Sequence, residues 1–296
     1  MKDVQPERFN LAAVRIFFFF CVLITASGPD YFLQWTQVPP QFWHPRGLLR
    51  LFSEPLSADV IAFSFHTWRW LTFACLFGVF FRWIAPLWWI LGLIVITNGH
   101  SYGYQGHVYM PLVLAGLPLC FSRASDALSF DSWKKVPVLT VDVQSYLLPV
   151  RTIQIVLVLA YFAAGVSKLR FGGLEWITGD TLRNYLIRSS LIFSDSNQLA
   201  HTVQLNEVLF RVPWLCNLLA FGAVLLEVSM PLALWKRQFA KLLIPAIVAL
   251  QIGIFFTIFV RFTPYVALLG AWINWHWVLH WFSNWYFGRI RATPAV

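Results

Sequence analysis

Long apolar runs decide what this chain can fold into before any motif is considered. "VRIFFFFCVLITA" and "IQIVLVLAYFAAGV" are apolar centres of longer stretches that can cross the roughly 30 Å hydrocarbon core of a bilayer as helices, and "LLIPAIVALQIGIFFTIFV" is by itself about long enough. Lipid offers no partner to a backbone N–H or C=O, so only helices and closed barrels can span it. The runs lack the period-two alternation of a barrel strand, which leaves helices. Hydrophobic residues make up 58 % of the 296 positions, charged residues only 12 %, and mean hydropathy is +0.64, more apolar content than one soluble core requires. The expected class is all-α, a polytopic integral membrane helical bundle.

About eight spans are expected, at Leu11–Ala26, Ser57–Phe81, Trp83–Thr97, Val108–Phe121, Val150–Val166, Trp214–Trp235, Leu242–Val260 and Tyr265–Phe282. The first has a small-residue "TASG" after it, as a cleaved signal peptide would, but Arg15 interrupts its apolar region and marks it as a retained helix. With alternating sides, one face receives Lys2, Arg8, Arg82, Arg123, Lys134, Lys135, Lys236, Arg237, Lys241, Arg289 and Arg291, so that face is expected to be cytoplasmic and to hold both termini. The formal charge of +9 therefore describes topology and contact with anionic headgroups, and nucleic acid is not an expected partner. Cys21, Cys75, Cys120 and Cys216 all fall inside apolar segments with no Cys-x-x-Cys spacing, as small core residues do.

The chain is expected to form a single domain over 1–296, with its core at 10–285 and an interfacial helical segment at 167–212. Within that segment "DTLRNYLIRSSLIF" places apolar residues at helical spacing beside Arg183 and Arg188, suited to an amphipathic cover or to a substrate lid.

Under this topology the third and fifth spans end on the same side, so Asn98, His100, Ser101, Tyr102 and Lys168 are expected to line one pocket at the outer boundary. A lysine removed from water loses preference for its charged form and can serve as a base; the alternative is that Lys168 snorkels to the headgroups. Arg15, Arg69, Arg151 and Glu227 lie within or near spans, where an unpaired charge is costly. Glu227 is expected to pair with one of those arginines, as a structural ion pair or a proton relay, nearer the cytoplasmic side than Lys168. His276 and His280 share a helix face in "HWVLH", but no third ligand accompanies them; an interfacial aromatic belt accounts for them and no metal is expected. Nucleotide loops, dinucleotide fingerprints and nucleophile elbows are absent.

Several stretches occur in a characteristic order: "AAVRIFFFF", "FWHPRGL", "NGHSYGYQGHVYMPLVLAGLPL", "RTIQIVLVLAYFAAGVSKL", "GGLEWITGDTLRNYL", "LLEVSMPLAL" and "FTPYVALLG". Over roughly residues 10–275 this set resembles the membrane domain shared by vitamin K-dependent gamma-carboxylase and bacterial HTTM (horizontally transferred transmembrane) proteins. The resemblance implies that Lys168 matches the base that deprotonates a vitamin K-type quinol and that His100 matches its helper. It implies a reduced quinone of vitamin K type as the reacting group, a peptide or small molecule as acceptor, and residence in a bacterial cytoplasmic membrane. Gln251 stands where the family usually shows a histidine, and only a short tail follows Trp285, so the resemblance does not carry over the carboxylase's acceptor. Two functions remain open: a membrane-embedded enzyme of this type, and a non-catalytic accessory protein assisting peptide maturation or export. A transporter is disfavoured because the spans show no inverted repeat.

Overall fold

The structure, a computed structural model, describes residues 6–26, 28–104, 109–133, 141–193, 200–260 and 262–281. Among the described residues the chain is helical, with no strand. The helices are α1 (Pro6–Thr25), α2 (Pro29–Leu33), α3 (Ala58–Phe77), α4 (Phe81–Ser101), α5 (Met110–Cys120), α6 (Phe130–Trp133) and α7 (Gln144–Gly172), followed by α8 (Glu175–Thr178), α9 (Thr181–Phe193), α10 (Ala200–Phe210), α11 (Pro213–Ser229), α12 (Leu232–Trp235), α13 (Arg237–Ile258) and α14 (Thr263–Leu269).

Six helical stretches among the described residues are long and apolar enough to cross a membrane: α1, α3, α4, α7, α13, and Pro213–Trp235, which joins α11 and α12. The expected fourth and eighth spans are shorter. α5 has 11 residues, a rise of about 16 Å that covers only part of a bilayer core. The last apolar stretch breaks into α14, a 3₁₀ turn at Gly270–Trp272 and a further helix over 275–281. Side chains tend the broken backbone there: Trp275 Nε1 donates to Gly270 O at 2.9 Å and Gln154 Nε2 donates to Ala271 O at 2.8 Å. Asn10 Oδ1 accepts from His276 N at 2.9 Å. Irregular backbone at membrane depth is tolerated where protein groups satisfy it in this way.

Packing divides the chain into two compact units, 1–154 with 263–296, and 155–262. In the first, α3 packs on α1 and α4, α5 on α4, and α14 on α1 and α5. Glycines admit the large rings of this core: a Cβ on Gly92 would lie 2.6 Å from Trp68 Nε1, and one on Gly116 2.6 Å from Trp88 Cζ3. Trp88 Nε1 is satisfied by Thr72 Oγ1 at 2.7 Å. The turn between α3 and α4 is closed by Gly78 at φ 64° and by Asp131, whose carboxylate oxygens accept the N–H groups of Phe80 and Phe81 at 2.9 Å each. Asp131 thus supplies what the start of α4 lacks.

In the second unit the C-terminal part of α7 continues through Ser167 and Lys168 to Gly172, so the lysine sits inside a helix rather than in the turn after one. α9 forms over the expected amphipathic stretch and packs on α10, and both contact α13. Ser189 Oγ and Asn206 Nδ2 donate to Thr257 O at 2.9 and 2.8 Å, capping the carbonyl end of α13. Spanning helices in both units present large apolar side chains outward, among them Phe63, Trp70, Trp83 and Phe256, as a lipid-facing surface requires.

Candidate functional site

In the second unit Lys168 forms a charge pair with the buried Glu227. The Lys168 Nζ donates to both carboxylate oxygens of Glu227, with 23 % of the lysine side chain and 5 % of the glutamate side chain exposed. Gly165 makes this approach possible from one turn earlier on the same face of α7: a Cβ there would lie 2.9 Å from Glu227 Cβ and 2.9 Å from Val228 Cγ2. α7 and α11 therefore touch at backbone distance where the pair forms. Trp176 of α8 completes the surround, its ring 5.8 Å from the Lys168 Nζ. Gly172 and Gly173, the latter at φ 58°, turn the chain so that Trp176 packs back over Gly172. Around this end of α7, Val166, Leu169, Phe171 and Leu174 are exposed apolar side chains. The arrangement sets an amine against a carboxylate, with a ring to one side and an apolar surface nearby.

The expected partners of Glu227 are corrected by this geometry. Arg15 donates instead to Ala124 O at 3.0 Å and to Leu128 O at 2.5 Å, and its guanidinium lies 5.8 Å from the Phe81 ring. Arg69 Nη1 donates to Leu23 O at 2.7 Å, and Arg151 is exposed on α7. Carbonyls at loops and helix ends, rather than a carboxylate, occupy Arg15 and Arg69. The expectation that Glu227 lies away from Lys168 is corrected too, because α7 continues as a helix through Lys168 to Gly172 and the lysine on it meets Glu227 of α11.

His100 belongs to the first unit, in the last turn of α4. It lines a small cleft with Tyr31, Phe32, Trp35, Ile96, Gly99, Tyr104 and Tyr109, which has room for about one water molecule. A bicyclic ring does not fit that space. Asn98, Ser101 and Tyr102 are near it in sequence but do not line it. Asn98 is buried, and its amide nitrogen has no hydrogen-bond partner among the described residues. Ser101 anchors the preceding loop: its carbonyl accepts from His44 N at 2.7 Å and its Oγ accepts from Arg46 N at 3.1 Å. Tyr102 caps α4, and burial pushes its phenol above the usual range. Lys168 and its partners lie in the other unit. Sequence reasoning missed Gly165 and Trp176; the signal available for Gly165 was its spacing of three from Lys168, which puts a residue without a side chain on the lysine's own face.

The pattern of the HTTM domain family matches residues 5–281, nearly the whole chain. The chain belongs to the HTTM domain family. No curated protein and no solved structure matches it. The HTTM domain is the membrane domain of gamma-carboxylase-like proteins, so the six long apolar helices belong to an integral, multi-pass membrane protein. In this HTTM protein the family match runs across both compact units.

Proposed function

We propose that this HTTM protein is a membrane-embedded enzyme of the gamma-carboxylase type in which Lys168, with Glu227, takes the hydroxyl proton of a lipid-soluble quinol. The observation that carries the reading is the two-point contact between a partly exposed amine and a buried carboxylate. As an ammonium Lys168 cannot act as a base. Glu227 is placed to accept one of its protons, which converts an ion pair into a neutral amine and a neutral acid without moving net charge into the bilayer. The free amine then forms an N–H bond as the quinol O–H breaks, leaving a quinolate beside an ammonium. The exposed apolar rim at Val166, Leu169 and Leu174 suits a substrate arriving from lipid, and Trp176 offers a ring face next to the reacting nitrogen. The quinol's encounter is assigned to this rim because the cleft at His100 is too small for a bicyclic ring.

The accessory reading is compatible with the close packing at Gly165, which suits a cross-link between α7 and α11 whether or not chemistry follows. The two readings part in a single assay. The full chain in nanodiscs is given a reduced naphthoquinone under oxygen, and quinol consumption is followed for wild type, Lys168→Ala and a Lys168→Met/Glu227→Leu double variant. The enzyme reading expects turnover by wild type only, with the double variant folded. Turnover by the double variant, or none by wild type, refutes it.

A further inference from the structure

The cleft beside His100 is lined mainly by aromatic side chains at the end of a helix. Tyr31, Phe32, Trp35, Tyr104 and Tyr109 supply the rings, and the two phenol oxygens of Tyr31 and Tyr104 lie 2.6 Å apart. Trp35 and Tyr104 pack with ring centroids 4.9 Å apart, and Tyr104 lies 5.8 Å from the His100 imidazole. We propose that this cleft is a binding site for a primary ammonium group, of the kind carried by an ethanolamine lipid headgroup.

Several features select a cation over an anion or a neutral apolar group. The faces of aromatic rings carry negative potential and attract ammonium ions. Gly99 and His100 belong to the last turn of α4, where the helix macrodipole presents its negative end. The hydroxyl pair, having used one proton between its members, keeps lone pairs that can accept N–H donors. Among the described residues no lysine or arginine lines the space to repel a cation. Size then selects among ammonium groups. Room for about one water molecule admits an –NH₃⁺ head but not the three methyls of a choline. The cleft lies at the end of a helix of spanning length, as a headgroup site would: α4 ends at Ser101, and the short helices around residues 29–51 join two such helices outside the apolar runs. Gly99 sets its shape, because a Cβ there would lie 2.8 Å from Trp35 Nε1 and push that ring aside.

Native mass spectrometry of the full chain, equilibrated in mild detergent with dioleoyl phosphatidylethanolamine, its N,N-dimethyl analogue or phosphatidylcholine, tests the site. Retention of the ethanolamine lipid is expected to exceed that of the choline lipid roughly five-fold or more, with the dimethyl analogue between them. A Tyr31→Phe/Tyr104→Phe double variant keeps the rings and loses the oxygens, so the preference shrinks. Gly99→Ala, which displaces Trp35, removes it. Displacement by ethylammonium chloride at millimolar concentration assigns recognition to the ammonium alone, whereas resistance to it assigns recognition to the headgroup as part of a lipid. Equal retention of ethanolamine and choline lipids by wild type, or a preference unchanged in both variants, overturns the proposal and leaves the space to an ordinary water.

Discussion

Lys168 on α7 donates to both carboxylate oxygens of Glu227 on α11, across a contact held close by the missing side chain of Gly165. Removing either partner leaves a charge within a membrane helix without its counter-ion. Glu227→Gln and Lys168→Met are each expected to lower stability by about 2–4 kcal/mol, somewhat below the full penalty because Lys168 keeps some exposure. The Lys168→Met/Glu227→Leu double variant should recover most of that loss, since neither charge is then stranded. Thermal unfolding in detergent measures the cycle; additive losses in the double variant would mean that the two residues do not act as a pair.

Gly165 is expected to tolerate no Cβ, while Gly222 on α11, with open space around it, is expected to tolerate one readily. Gly165→Ala should cost about 1–3 kcal/mol as α7 and α11 are pushed apart. Gly222→Ala should be neutral, or stabilising by up to about 1 kcal/mol through helix propensity. Equal unfolding midpoints for the two variants would contradict the close approach.

How much of this was legible in the sequence differs between the spans and the site. α1, α3, α4, α7, α13 and the Pro213–Trp235 stretch announce themselves as apolar runs of spanning length, because burial in lipid needs little beyond length and apolarity. The break at Gly270–Trp272 does not, because what permits it is distant: Gln154 satisfies Ala271 O and Asn10 satisfies His276 N, from elsewhere in the chain. Lys168 was visible as a charge at the end of an apolar run. Glu227 as its partner was not, since 59 residues separate them and three equally plausible arginines compete for the acid. The backbone carbonyls that occupy Arg15 and Arg69 leave no trace in residue type. Tyr31 and Trp35 likewise give no hint that they close on the end of α4.

Arg15 is buried with its fork spread over two carbonyls, Ala124 O and Leu128 O, and a Cβ on Gly78 would lie 2.5 Å from its Nη1. Lysine keeps the charge but not the planar fork. Arg15→Lys is therefore expected to cost about 1–3 kcal/mol for the polar groups left unmatched, visible as a lowered unfolding midpoint. A midpoint equal to wild type would show that charge alone suffices.

Tyr31 gives a test by pH. Burial first, and then the hydrogen bond with Tyr104, raise its phenol above the ordinary range. The folded state keeps the proton while the unfolded chain releases it near pH ~10. The stabilisation from this phenol is fully present below that pH and is lost as pH rises toward the folded value. Tyr31→Phe should flatten the alkaline limb of a stability profile, and an unchanged limb would remove Tyr31 from the account.

Proton removal itself is the central claim, and it can be observed without turnover. Wild type, Lys168→Ala and Lys168→Arg are mixed anaerobically in nanodiscs with a reduced naphthoquinone, and the quinolate absorbance band is recorded. Wild type is expected to generate the band near neutral pH, and neither variant should, because alanine has no base and arginine stays protonated. A band of equal amplitude from Lys168→Arg, or none from wild type, would contradict Lys168 as the base.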